Sequence, residues 1–376
     1  MLKAMANIKE LQKDLTHITS IAGKFTSMPI LSNVLIEASG GLLTLTASDL
    51  EVTFQCSIEA DVLEEGAITV PAKPFADIIG SLKGATLTLE ERENLVLRVK
   101  TDYYHSDLLG ISPTEFPKTM DTGAVTFTEF PGAALVDSIN KTIYSVAGGN
   151  TNYNLAGIFW VKEQVGDHEA LKLVSTDNSR LNIATLAEEN LGGLLLDEGV
   201  LVSRKGLSEL KSLAEDSLAV SLGVDAKNLV ARTGNTLLVM RLLNGKFPNY
   251  HVLIPDEAGH PIVVKREDFS DSLKRVSKIF DDKVRVVYLR IGEDSLTLSG
   301  KNSKVGESEE SLTVSHSGPE LSFGFDPRHL LDAISTMKSK ELRINIIDNK
   351  RPAVLSGDQD PGYLGILTIM APAEEE

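Results

Sequence analysis

One cysteine, Cys56, stands in 376 residues, so no internal disulfide framework is available, and the chain fits a reducing compartment. Cys56 itself reads as a small buried hydrophobe. No apolar run approaches the ~18 residues of a membrane span. The first residues, MLKAMANIKELQKDL, are amphipathic and mixed in charge, unlike a signal peptide. These absences point to a cytoplasmic protein without a membrane partner. Chemistry-bearing motifs are equally scarce. There is no Walker loop, dinucleotide glycine fingerprint, EF-hand or HExxH pair, and the seven histidines lack metal-ligand spacing. No metal and no cofactor is expected. One constellation resembles a penicillin-recognising serine enzyme: Ser335–Lys338 as SxxK, Thr176-Asp177-Asn178 for SDN and Arg232-Thr233-Gly234 for KTG. Its order is reversed, and a second SxxK at Ser208–Lys211 shows how cheaply that pattern arises.

What the chain does have is repetition. Leu42–Val52 (LLTLTASDLEV), Leu171–Leu181 (LKLVSTDNSRL) and Ser295–Val305 (SLTLSGKNSKV) each run from alternating apolar residues into a polar corner, about a third of the chain apart. The length suits two or three domains, and 42 % hydrophobic with 24 % charged residues is an ordinary globular balance.

Around each corner the same order recurs. Ile8, Leu11, Leu15 and Ile18 predict an amphipathic helix over 5–22. A strand follows at Asn33–Ala38, and ITVPAKPFADIIGSL (68–82) reads as a strand entering a second helix past a proline. The unit closes at Phe116-Pro117. A helix over 133–146 restarts the series, GVLVSRKGLSELKSL (199–213) repeats strand-into-helix, and Phe247-Pro248 closes the second unit. The third has helices over 266–280 and, starting at the proline within LSFGFDPRHLLDAISTM, over 327–340, then an apolar strand, Leu364–Met370, and an acidic tail. The expected class is α+β: three tandem similar domains (1–122, 123–252, 253–376), each with two helices on antiparallel strands.

Net charge is −16, yet the charge is unevenly placed. The six predicted helix spans, taken with generous ends, hold 18 Lys and Arg against 9 Asp and Glu, while the rest holds 19 against 44. Helices that bury an apolar stripe turn the opposite face outward. If all six line one surface, that surface attracts phosphates on an otherwise acidic body.

MPILSNVLIEASGGLLTLTASDLEV (28–52), STDNSRL (175–181), GKFPNY (245–250), FGFDPRHLLDAI (323–334) and IMAP (369–372) together resemble the bacterial DNA polymerase III beta subunit family, the sliding clamps, over essentially the whole chain. The resemblance implies the DNA clamp fold, a ring-shaped head-to-tail homodimer around double-stranded DNA, and a non-catalytic processivity factor. Its implied partners are the DNA polymerase III alpha subunit, the clamp loader and other proteins bearing a clamp-binding motif. It implies a peptide pocket at Leu155, Thr176, Asn178, Ser179, Arg180, Leu181, Pro248, Asp326, His329, Ile369, Met370 and Pro372. It also implies DNA contacts at Lys24 and Tyr153, to which the helix-face argument adds Lys9, Lys13, Lys141, Arg204, Lys205, Lys274, Arg275, Lys278 and Arg328. At the dimer seam Tyr104 and Leu108 are expected to meet Ile279 and Phe280 of the other protomer. The chain departs from the family where Asn178-Ser179 replaces Gly-His, where Val252 replaces a basic residue, and at its acidic end. A repeat scaffold that binds only proteins shares this fold and pocket but gives the basic helices no role.

Overall fold

The computed structural model describes all residues except 24–27, 119–121, 149–152, 187–190, 197, 256–258, 282–284, 317, 349 and 371–376, together with the side chain of Tyr153. Among the described residues are seven α-helices: α1 Ile8–Lys13, α2 Leu15–Ile21, α3 Ala72–Ser81, α4 Gly132–Ile143, α5 Arg204–Glu215, α6 Arg266–Val276 and α7 Pro327–Thr336. Among the described residues every strand pairing is antiparallel. The chain forms two compact units, Met1–Gly132 with Gly192–Leu195 and Lys205–Leu242, and Ala133–Leu191 with Leu196–Arg204 and Leu243–Glu376.

In the first unit a long strand, Val52–Glu64, belongs to two neighbourhoods. Its first residues pair with Thr236–Leu243 and Leu42–Ser48, and its last pair with Lys3–Asn7. From Lys3–Asn7 the ladder continues through Thr86–Arg92 and Val96–Lys100 to an edge strand, His105–Leu109. The expected helix over 5–22 is corrected here. Residues 3–7 are a strand, with Ala4 and Ala6 buried and Met5 exposed, a period of two that small alanines hide from a sequence pattern. The helix starts at Asn7, whose side chain accepts the backbone N–H of Lys9 and Glu10, and it breaks at Asp14.

In the second unit a ladder runs from His260–Lys265 through Glu341–Ile346, Ala353–Ser356 and Tyr363–Leu367 into Arg180–Leu186, His168–Thr176, Gly157–Val165 and Val200–Ser203. A separate four-stranded sheet has Gly306–Thr313 at one edge and Leu321–Phe325 at the other. Helices α6 and α7 cover a core in which Phe269, Leu273, Phe323, Phe325, Leu330 and Ile334 are at most 1 % exposed. Each helix shows the apolar spacing that predicted it; what the pattern missed is its length. The expected span 266–280 ends as α-helix at Val276, and the expected span 327–340 ends at Thr336.

The repeat is visible atom by atom in the first two corners. Asp49 accepts the N–H of Glu51 and Val52 at 3.0 and 2.7 Å, and Asp177 accepts those of Ser179 and Arg180 at 3.1 Å each. Leu50 and Asn178 follow the aspartates at φ 75° and 74°. Arg241 N–H donates to Glu51 O at 2.8 Å, as Thr368 N–H does to Ser179 O at 3.0 Å. The third echo is looser: its turn is held by Asn302, which accepts the N–H of Lys304.

Candidate functional site

The second corner is where the predicted pocket residues meet. Thr176 Oγ1 donates to Arg180 O at 2.7 Å and accepts Asn178 N–H at 3.1 Å, closing a turn that leaves Asn178 and Ser179 exposed. The left-handed φ of Asn178 suits asparagine, one of the few residues that tolerates it. Asp177 fixes both the turn and Arg180, whose Nε lies 2.9 Å from Asp177 Oδ2. The guanidinium is then held by Asp332 of α7 at 2.7 Å and by Tyr144 O at 2.9 Å, and it stacks 5.1 Å from the Tyr144 ring. With three partners, Arg180 is a fixed rim charge.

Beneath the corner Leu155, Leu181, Phe247, Tyr250 and Ile366 form one buried apolar cluster. Pro248 is exposed between the buried Phe247 and Tyr250, and beyond it Val252 and Leu253 expose 76 % and 44 % of their surface. Across the corner, Thr368 N–H reaches Ser179 O, and Met370 forms both backbone hydrogen bonds of a bridge to Gly324. That bridge brings Ile369 and Met370 beside the strand leading to Asp326 and α7. Asp326 caps α7 by accepting Arg328 N–H at 2.9 Å and also binds the Arg328 guanidinium. Burial opposes its charge, but those hydrogen bonds prevail and hold its carboxyl below the usual range. His329 is pushed below the ordinary imidazole value, by burial first and by the Arg180 charge second, so it is neutral near pH 7. The rim therefore combines a fixed cation, a neutral imidazole, an exposed Met370 and an apolar floor. Pro372 lies outside the described residues.

Sequence reasoning missed Tyr144, Asp332 and the floor residues Phe247, Tyr250 and Ile366. Phe247 and Tyr250 fall in GKFPNY and Ile366 in the apolar strand Leu364–Met370, but no local pattern assigns any of the five to the corner, because each reaches it from a distant segment. Asp177 was recoverable, since aspartate two residues before a free backbone N–H is a turn signature.

The predicted DNA contacts are less uniform. Lys9 and Lys278 are exposed, with no ion pair among the described residues. Lys13 pairs with Glu10, Lys274 with Asp271, Lys205 with Asp49, Arg275 with Glu310 and Arg328 with Asp326. Arg204 is exposed. Lys141 is a correction: it is 4 % exposed and ion-paired to Asp137 and Asp360 at 2.8 Å each, so it cannot face DNA. Lys24 and the side chain of Tyr153 lie outside the described residues. Within the observed helix bounds the count is 11 Lys and Arg against 9 Asp and Glu, so the helical surplus is far smaller than generous ends suggested.

At the predicted seam Tyr104 is exposed and Leu108 half-buried, while Leu109, on the opposite face of the same edge strand, is 75 % exposed. Ile279 is half-buried. Phe280 is likewise half-buried, with part of its surface packed against the core of its own domain. The serine-hydrolase constellation has no working geometry. Ser335 Oγ donates to Asp332 O, and Lys338 Nζ is taken by Asp137 at 2.6 Å, so no nucleophile–base pair exists.

Three family descriptions match in succession: DNA polymerase III beta subunit, N-terminal domain over residues 3–121, central domain over 129–249 and C-terminal domain over 251–368. The chain belongs to the DNA polymerase III beta subunit family. Among the family's curated members, the beta sliding clamp of Vibrio cholerae is 27 % identical over 360 residues, covering 95 % of this chain and 96 % of its own. That of Escherichia coli K12 is 28 % identical over 354 residues, covering 93 % and 94 %. The crystal structure of the C. crescentus beta sliding clamp superposes with a TM-score of 0.92 at 26 % identity over 98 % of both chains. The expectation of three tandem clamp domains in an α+β chain holds.

Proposed function

We propose that this chain is a DNA sliding clamp: two copies close head to tail into a ring around duplex DNA and tether the replicative polymerase without reading sequence. The observation that carries this reading is the run of three clamp domains along nearly the whole chain, at the same fold and length as known clamps. We place the domains at 1–122, 123–252 and 253–376. Two unlike edge strands, His105–Leu109 and Gly306–Thr313, have no second neighbour among the described residues. Joining unlike edges is a heterologous contact, which closes into a ring when its rotation allows, and it removes the aggregation hazard of both edges. Tyr104, Leu108 and Leu109 on one edge and Ile279 on the other domain are the apolar side chains we assign to that seam.

A closed ring is held on DNA by topology, so its phosphate contacts can be weak and exchangeable. The already paired cations suit this: each must trade a carboxylate for a phosphate, which permits sliding and carries no sequence information. The corner pocket takes a short linear peptide from the polymerase alpha subunit, the clamp loader and other proteins with a clamp-binding motif. No chemical step is assigned to the chain, and its place is the bacterial cytoplasm, where chromosome replication occurs.

Primer extension tests the reading. On singly primed circular template with the cognate loader and polymerase, adding the protein is expected to lengthen the product made per binding event many-fold. Unchanged product length under trap conditions would refute it.

A further inference from the structure

Lys141 has two carboxylate partners and almost no solvent. Its ammonium sits between Asp137 and Asp360, and the Asp360 side chain is fully buried. Asp360 also accepts the N–H groups of Lys338 and Ser339 and, at 2.6 Å, the hydroxyl of Ser339. The cluster thus ties the last turn of α4 to the turn that precedes the C-terminal strand Tyr363–Leu367. Burying an ion pair costs desolvation that an apolar pair would avoid, so such pairs are better explained by the registry they impose than by stability.

The registry here points at the pocket. Lys141 lies 5.7 Å above the ring of Tyr363. Tyr363 Oη lies 2.7 Å from Tyr144 Oη, and both hydroxyls reach Asn182 Oδ1. Tyr144 in turn supplies the carbonyl and the ring that hold the rim Arg180. The next residue, Ser145, bonds Ser175 at 2.6 Å, just before the corner. A continuous set of contacts therefore runs from the buried ions to the rim charge.

We infer that Lys141 and Asp360 are a positioning pair for the docking pocket, fixing the C-terminal strand and the Tyr144–Tyr363 pair against the corner that carries Arg180. The inference rests on the pocket reading above. Neither residue touches the bound peptide, yet affinity depends on both.

The test uses the full-length protein and a fluorescein-labelled peptide carrying the clamp-binding segment of the cognate alpha subunit, read by anisotropy well below the melting temperature. Lys141→Met is expected to weaken binding about tenfold and Lys141→Arg to restore it to within about twofold. Tyr363→Phe, which keeps the ring and loses the hydroxyl, is expected to weaken it about threefold and serves if Lys141→Met does not fold. Ile262→Ala, a core change in the same unit off this path, controls for lost stability and is expected to leave affinity unchanged. Wild-type affinity in folded Lys141→Met and Tyr363→Phe, or equal losses in Ile262→Ala, overturns the inference. Absence of peptide binding by the unaltered protein instead overturns the pocket reading, and this inference with it.

Discussion

At the scale of single residues, the corner aspartate and the buried ion cluster carry the firmest expectations. Asp177 accepts two backbone N–H groups and one guanidinium N–H, so Asp177→Ala leaves three donors wanting. The expected cost is about 1–3 kcal/mol, read from urea unfolding, with a looser Arg180 and weaker peptide binding. Asp360 gives a pH dependence. Burial alone would raise its carboxyl, but hydrogen bonds from Lys141, Ser339 and the backbone prevail and hold it at about 2. Because the folded value lies below the unfolded one, the stabilisation is whole above about pH 4 and is lost as pH falls toward 2, about 2 kcal/mol in all. Asp360→Asn is expected to flatten that acid limb; an unchanged slope would mean that Asp360 does not contribute it. These residues also mark where sequence reading stopped. The corner was legible because its hydrogen bonds span three residues. Lys141 read as an outward cation because its deciding partner, Asp360, lies in a different domain and no local pattern announces the pairing.

At the scale of elements, helix identity was legible and helix extent was not. Apolar steps of three and four place α3 to α7 correctly, since burying that stripe is what makes the helices stable. The ends depend on capping and on neighbouring strands, and the flanking lysines that inflated the basic count, among them Lys3, Lys83, Lys265 and Lys340, fall outside the α-helices. DNA attraction should therefore be modest. Lys274→Glu with Lys278→Glu is expected to shorten residence on nicked circular DNA at low salt and to matter little at high salt, where phosphate attraction is already screened. Equal residence at low salt would assign those lysines no role and favour the protein-only scaffold. Edge strands are the second element-scale case. Leu109 exposes 75 % of its surface on His105–Leu109, so Leu109→Asp should place a charge in the seam. Sedimentation equilibrium is expected to show the variant shifted toward monomer, and an unchanged dimer would move the seam elsewhere.

At the scale of the molecule, three similar domains stand in each chain, and we propose two chains per ring. Repetition was the most legible feature of all, because the fold reuses one solution: Asp49 and Asp177 close their corners with the same hydrogen bonds. The proposed ring closure was not legible from composition, since an acidic chain with few free helical cations does not advertise DNA. Linkage to DNA by topology rather than by affinity is thus the central claim, and cutting the DNA tests it directly. The protein is loaded by its cognate loader onto nicked circular DNA, isolated, and the circle is then linearised at a single site. The account predicts retention on the circle and rapid loss from the free ends. Equal retention on circular and linear DNA would contradict it.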